Sequence, residues 1–377
     1  MAMEAEQIRH RKAAFMCKAE HTTDSYEQLA RHMDEAPIGA PYTAELVEIL
    51  QDLFSPAEAQ LAARLPFKPT GLEELAQELG PELGMETGEL GQTLEAMADR
   101  GLVYQSGRRF SLLPLVPGMA ETQFMGGQKG EAKQRLARLF ENYYKPGIGQ
   151  AMVDLPLPYS RAIPVGKVVE NHQEILPYEQ AAEVVKEASF RALTSCYCRE
   201  QAKLLGKGCT HPKEVCLLFG PFARFAVEKG WAREIDQDEA LKTLDKAAEA
   251  GLIHVSDNVA KSANFMCNCC GCCCMFLKTL TQLKHPGAVA PAGFVAEVDR
   301  AECTACGACV EACQVEAIRQ EDDEPATVDP DYCLGCGQCE AACFFDAIKL
   351  ERRGKITPPP ADWLELSRAI MAGRREN

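Results

Sequence analysis

The sequence predicts an α+β protein with mainly helical N-terminal and central regions and a small repeated domain near the C-terminus. Three observations carry this. Capped apolar runs of helical spacing fill residues 41–100. Eighteen of the nineteen cysteines lie between Cys196 and Cys343. One pattern occurs twice in register, at residues 303–318 and 333–348.

At 377 residues the chain is long for one hydrophobic core. Its composition divides it into a helical segment at 1–40 and a helix-and-hairpin region at 41–125. A cysteine-rich, mainly helical region follows at 126–290, then the repeat domain at 291–351 and a tail with an amphipathic helix at 352–377. Hydrophobic residues at 46% and charged residues at 25% are those of globular proteins, which excludes disorder over most of the chain. A formal net charge of −15 opposes phosphate backbones, so no nucleic-acid partner is expected. No apolar run reaches the roughly 20 residues of a membrane span. The start, Met1 to Glu6, lacks the basic-then-apolar pattern of an export signal, so a cytoplasmic location is expected. In a reducing compartment, closely spaced cysteines read as metal or iron–sulfur ligands instead of disulfides. Cys17 stands apart and reads as a small semi-buried side chain.

The first elements follow from their caps. Thr43 caps a helix through Leu53, with Leu46, Ile49, Leu50 and Leu53 on one face. Ser55-Pro56-Ala57-Glu58 is a capping box with proline at the first helical position. Thr70 is expected to cap Gly71–Leu79, ended by Gly80, and Thr87 a helix to Arg100, ended by Gly101. Residues 102–104 and 109–112 then make a hairpin. Helices followed by a two-stranded wing resemble a winged-helix domain. The helix before the wing exposes acidic and small side chains, with only Arg100, Arg108 and Arg109 basic nearby. A base-reading helix needs the opposite, so a protein–protein or scaffold module is favoured.

Further along, Gly126-Gly127-Gln128-Lys129-Gly130 reads as a flexible link. Pro156, Pro158, Pro164 and Pro177 make 146–178 irregular. Helices are expected at 179–191, 213–229 and 237–250, with a short strand at 252–255. After the Pro358-Pro359-Pro360 spacer, residues 361–371 form a helix. Its apolar stripe of Trp363, Leu364, Leu366 and Ile370 docks on the body or on a partner.

The repeated pattern is C-x2-C-x2-C-x3-C, at Cys303, Cys306, Cys309 and Cys313 and again at Cys333, Cys336, Cys339 and Cys343. Gly307, Gly335 and Gly337 let these loops turn with positive φ. Short strands fit at 294–298, 317–320, 326–328 and 347–350. The run resembles the bacterial two-cluster ferredoxins. That resemblance implies two [4Fe-4S] clusters. One is held by Cys303, Cys306, Cys309 and Cys343, the other by Cys333, Cys336, Cys339 and Cys313. The family has proline after the fourth cysteine, where this chain has Gln314 and Phe344. Phe294, Tyr332, Phe344 and Phe345 are expected to shield the clusters. The many acidic residues of this segment point to low potentials and to a redox partner with a basic docking patch.

Ten more cysteines precede the repeat: Cys196, Cys198, Cys209, Cys216, Cys267, Cys269, Cys270, Cys272, Cys273 and Cys274. A Cys-Tyr-Cys-Arg segment followed by Cys-Asn-Cys-Cys-Gly-Cys-Cys-Cys, ahead of a ferredoxin module, resembles a group of 4Fe-4S-binding proteins of anaerobes. The resemblance implies redox work and names no reaction. Cys269-Cys270-Gly271 is also similar to the Cys-Cys-Gly motif of heterodisulfide reductase subunits, but lacks that family's distant downstream C-x2-C. A third iron–sulfur centre is the favoured use of these thiols. The alternatives are a zinc site that includes His211 and disulfide exchange at Cys269-Cys270. Arg199, Lys203 and Lys207 either lower thiol pKa values or form a solvated helix face.

These readings converge on an iron–sulfur protein passing single electrons between a partner oxidoreductase and a cysteine-rich centre. One alternative is a redox-sensing regulator acting through the winged-helix region. Another is an oxidoreductase subunit with its catalytic centre at Cys267–Cys274. The pattern favours an electron carrier or subunit over a stand-alone enzyme, and it singles out no catalytic residue.

Overall fold

A computed structural model describes residues 25–127, 129–165, 176 and 179–376; Cys17, Gln128 and Pro177 lie outside the described residues. The described chain forms two compact units. One comprises the residues up to Ala120 with Arg138–Ile148, the other Glu121–Ala137 and the residues from Gly149 onward.

In the first unit, the Thr43 hydroxyl accepts the Leu46 N–H at 3.3 Å and starts the helix Ala44–Leu53. Ser55 and Glu58 cap Pro56–Ala62 reciprocally. Next come strand β1 (Thr70–Gly71), helices Leu72–Leu83 and Thr87–Asp99, and strands β2 (Val103–Ser106) and β3 (Arg109–Leu112). The three strands are antiparallel in the order β1-β3-β2. Two expected caps are corrected. Thr70 pairs with Phe110 as a strand residue, and its helix passes Gly80 and Pro81 before ending at left-handed Gly84. Gly80 permits close approach instead of a stop, because an added Cβ would crowd the Met85 carbonyl. Thr87 is the first residue of its own helix, and Glu86 precedes it without a side-chain cap.

The second unit is built on a seven-stranded sheet. Its strands are β4 (Ser160–Ile163), β5 (Arg191–Ser195), β6 (Glu214–Phe219), β7 (Arg233–Glu234), β8 (Ile253–Asp257), β9 (Phe265–Cys269) and β10 (Val289–Ala290). Their order is β10-β4-β8-β9-β6-β5-β7, and the β10–β4 pair is parallel. This sheet corrects the expectation of a mainly helical central region. The helix expected over 213–229 divides at Gly220 (φ +63) into β6 and a helix Gly220–Glu228. The one expected over 179–191 becomes a helix Ala181–Glu187 followed by β5. Strand β4 lies in the stretch read as irregular.

One face of the sheet carries the apolar core. Ile163, Leu193, Leu217, Phe219 and Met266 pack against Ala181, Val185, Ala240 and Leu244, which lie on helices Ala181–Glu187 and Gln237–Glu249. Because strand side chains alternate and Leu217 pairs with Met266, Cys216, Cys267 and Cys269 turn to the opposite face.

The repeat segment belongs to this second unit. Strands β11 (Phe294–Val298) and β14 (Ile348–Arg352) pair antiparallel, as do β12 (Ile318–Arg319) and β13 (Thr327–Val328). Short helices Ala308–Ala312 and Gln338–Ala341 lie between them in sequence. The last helix, Trp363–Glu376, packs on the same unit through buried Leu366 and Ile370. Trp363 meets Tyr159 edge-on at 5.5 Å, and the Ala260 and Lys261 N–H groups donate to Pro360 and Ala361. Leu364, expected on the apolar stripe, is exposed instead. Among the described residues no helix is long and apolar enough to cross a membrane.

Candidate metal centres

The sequence repeat reappears in the backbone. Positive φ occurs at Ala305 and Gly335, at Gly307 and Gly337, and at Glu316 and Asp346. Each pair occupies equivalent places in the two loops. Cys303, Cys306, Cys309 and Cys343 line one cavity, with Phe345 beside them. Cys313, Cys333, Cys336 and Cys339 line a second, closed by Val315, Leu334 and Leu350. The last cysteine of each run therefore sits with the first three of the other.

The two cradles differ in exposure. Cys306 is exposed, whereas Cys333 and Cys339 are buried. Burial pushes the Cys336 thiol up to about 12 and raises Cys309, Cys313 and Cys339 as well. The Ala317 N–H donates to Cys313 Sγ at 3.2 Å. Phe344 does not shield a cradle: it is 90% exposed and lines neither cavity, whereas Phe345 lines the first while half exposed. Phe294 is fully buried, and the Tyr332 hydroxyl donates to the Lys284 carbonyl.

The ten upstream thiols divide into two groups. Six form a closed circuit of interacting neighbours, running Cys196, Cys198, Cys274, Cys269, Cys267, Cys216 and back to Cys196. Within it Cys274 and Cys269 lie 3.3 Å apart. Local structure explains the ring. Strand alternation aligns Cys267 with Cys269, and Cys216 comes from neighbouring β6. Cys196 precedes the helix Tyr197–Leu204, with Cys198 in its first turn, and Cys274 precedes the helix Met275–Thr281.

Cys209, Cys270, Cys272 and Cys273 make the other group, with all four sulfurs within 4.8 Å of one another. His211, named in the zinc alternative, is not among them. Adjacent Cys269 and Cys270 fall in different groups, although both line one cavity with Cys196, Cys198, Cys267, Cys273 and Cys274.

Arg199 stands between the two groups. It is 1% exposed, and it donates to the Pro212 carbonyl at 3.0 Å and the Asn268 carbonyl at 2.7 Å. The charges that act on its guanidinium most strongly are the thiols of Cys196, Cys270, Cys216 and Cys269. Hydrogen bonds from Cys198 and Cys216, aided by Arg199, hold Cys196 well below the usual thiol range. A hydrogen bond from Cys273, with Arg199 adding its charge, brings Cys270 down to about 4. Cys198, Cys216, Cys267 and Cys269 move the other way, first through bonds to neighbouring thiols and then through burial. Lys203 and Lys207 are exposed and form a solvated face.

Sequence reasoning missed the residues that join these sites. The Gly271 N–H donates to Gln314 Oε1 at 2.9 Å, and a Cβ on Gly271 would overlap the Gln314 carbonyl oxygen. The Gln338 side chain donates to the Leu252 carbonyl at 2.7 Å, and the Val165 N–H donates to the Cys336 carbonyl at 3.0 Å. Asn268, fully buried between Cys267 and Cys269, donates to the Val215 carbonyl and meets His254. The Cys-Asn-Cys alternation was the available signal for that strand.

Neither the curated proteins nor the solved structures contain a significant match to the chain. Residues 296–350 match the family described as the 4Fe-4S dicluster domain. The matched segment spans both cysteine-lined cavities, and the chain thus carries a 4Fe-4S dicluster domain near its C-terminus, a segment built to bind iron–sulfur cofactors.

Proposed function

We propose that this chain is an electron-transfer protein working between a partner oxidoreductase and the upstream thiol centre. Cys303, Cys306, Cys309 and Cys343 hold one [4Fe-4S] cluster, and Cys333, Cys336, Cys339 and Cys313 hold the other. Bound there, such clusters supply one-electron chemistry. The observation that carries this reading is the Gly271–Gln314 hydrogen bond. It joins the cysteine-rich turn directly to the residue after Cys313.

The chain's own residues support the assignment. Cys306 opens the first cradle to solvent, and exposed Glu302, Glu311, Asp346 and Phe344 surround it in sequence. That face suits a redox protein with a basic patch. The second cradle is the more buried, on the side of the sheet. Arg199 brings a buried positive charge to the upstream thiols, which suits an anionic centre and no neutral one. The six-thiol ring is our candidate for a third iron–sulfur centre.

The element order supports the winged-helix-like module read at 41–125, whose residues up to Ala120 belong to the first unit. Arg100 and Arg108 pair with Glu58 and Glu73 at 2.6 Å, and Arg109 donates to the Pro69 carbonyl. Glu86, Glu89, Glu95 and Asp99 remain exposed on and beside the helix Thr87–Asp99. This surface favours protein docking over the regulator alternative.

Stepwise anaerobic reduction followed by electron paramagnetic resonance tests the proposal. Two [4Fe-4S] signals that reduce and reoxidise reversibly are expected, with Cys343→Ser and Cys313→Ser each altering a different one. A chain whose iron centres do not cycle would overturn it.

A further inference from the structure

Cys274 and Cys269 of the ring are 3.3 Å apart, but among the described residues no three ring thiols lie within 4.8 Å of one another, as all four thiols of the other group do, and such mutual spacing reports nuclearity. A single tetrahedral ion bound by thiolates at about 2.3 Å holds its four sulfurs about 3.8 Å apart. In a cubane each thiolate binds a different iron, so the sulfurs stand farther apart. In the four-thiol group, Cys272 to Cys273 and Cys273 to Cys209 are both 3.7 Å, and all four sulfurs fall within 4.8 Å. The ferredoxin cradles provide an internal comparison. Among the described residues, no three of their thiols approach one another so closely.

We infer that Cys209, Cys270, Cys272 and Cys273 form a mononuclear tetrathiolate metal site, separate from both cradles and adjoining the six-thiol ring, since Cys270 and Cys273 also line the cavity of Cys196, Cys198, Cys267, Cys269 and Cys274. An all-thiolate tetrahedral set suits zinc, or a single iron, and excludes hard oxygen-seeking ions. Four protein ligands leave no open position, so the ion binds no substrate: zinc there would be structural, and a single iron would only exchange an electron. Its place in the fold fits that role. Cys209 comes from the loop after the helix Tyr197–Leu204, and the other three come from the turn after β9. One ion would tie loop to turn. It would also fix Gly271, which lies between two of its ligands and contacts Gln314. The inference stands on sulfur spacing and is independent of the electron-transfer reading.

The test is a metal and acid-labile sulfide count on the anaerobically purified full chain, beside Cys209→Ser and Cys272→Ser. Each variant is expected to lose one metal ion per chain with no loss of sulfide, while the reduced ferredoxin signals persist. Loss of about four irons together with about four sulfides would mean a cubane and overturn the inference. Unchanged metal content would also overturn it. Should either variant fail to fold, the wild-type protein decides. One zinc with four sulfurs at about 2.3 Å by X-ray absorption, or one iron in excess of sulfide, supports the site. Nitrogen or oxygen ligands on the zinc, or neither metal in that amount, rejects it. Failure of electron transfer would show in the reduction experiment alone, so the two ideas fall separately.

Discussion

Gly271 and Gln314 act as a pair because each lacks what would keep the other away. Gly271 has no Cβ to strike the Gln314 carbonyl, and Gln314 has an amide oxygen where ferredoxins carry proline. Proline after Cys313 would remove that acceptor. Gly271→Ala is therefore expected to lower stability by about 1–3 kcal/mol, the usual cost of overpacking. Denaturation followed at the iron–sulfur absorbance measures it, and an unchanged midpoint would mean that the contact does not hold the turn. The same steric logic separates two equivalent loop positions. Ala305 and Gly335 both adopt positive φ, but a Cβ at Gly335 would overlap the Phe294 carbonyl, whereas alanine at 305 is accommodated.

At the scale of elements, the centre of the sheet contains a titratable pair of strands. His254 on β8 lies opposite Asn268 on β9 and is 2% exposed. Burial lowers its pKa below the usual imidazole value, with the Asn268 bond opposing only part of the effect. The unfolded chain therefore takes up a proton first as pH falls. Stability from this residue is fully present above about pH 6.5 and is lost as pH drops through the lower folded value. The denaturation midpoint should fall between pH 7.5 and 5, and His254→Gln should flatten that slope. An equal slope in the variant would clear His254 of the effect. Such strands were hard to read from sequence. Caps such as Ser55 and Glu58 act within four residues, so those helices were legible. The run before Gly220 is apolar enough for either state, and only its pairing with β5 and β9 makes it a strand. The eight repeat cysteines were legible because their spacing is local. The six-and-four division of the others was not, since neighbours such as Cys269 and Cys270 part only when distant Cys209 and Cys216 arrive.

For the whole molecule, the C-terminal helix is part of the metal-bearing unit. Leu366 and Ile370 are fully buried on that unit. Leu366→Ala should cost about 2–5 kcal/mol, as other buried leucines do. Thermal unfolding followed at the iron–sulfur absorbance checks this, and an unmoved transition would mean that the helix is an independent appendage. The duplicated loops carry a different implication. A two-fold repeat with one backbone is indifferent to direction, because exchanging its halves changes nothing. Here the cradle of Cys313, Cys333, Cys336 and Cys339 is fastened beside the sheet through Gln314, Gln338 and Cys336, and the other cradle keeps Cys306 at the surface. Symmetry in the loops and asymmetry in their surroundings give the dicluster domain a fixed front and back.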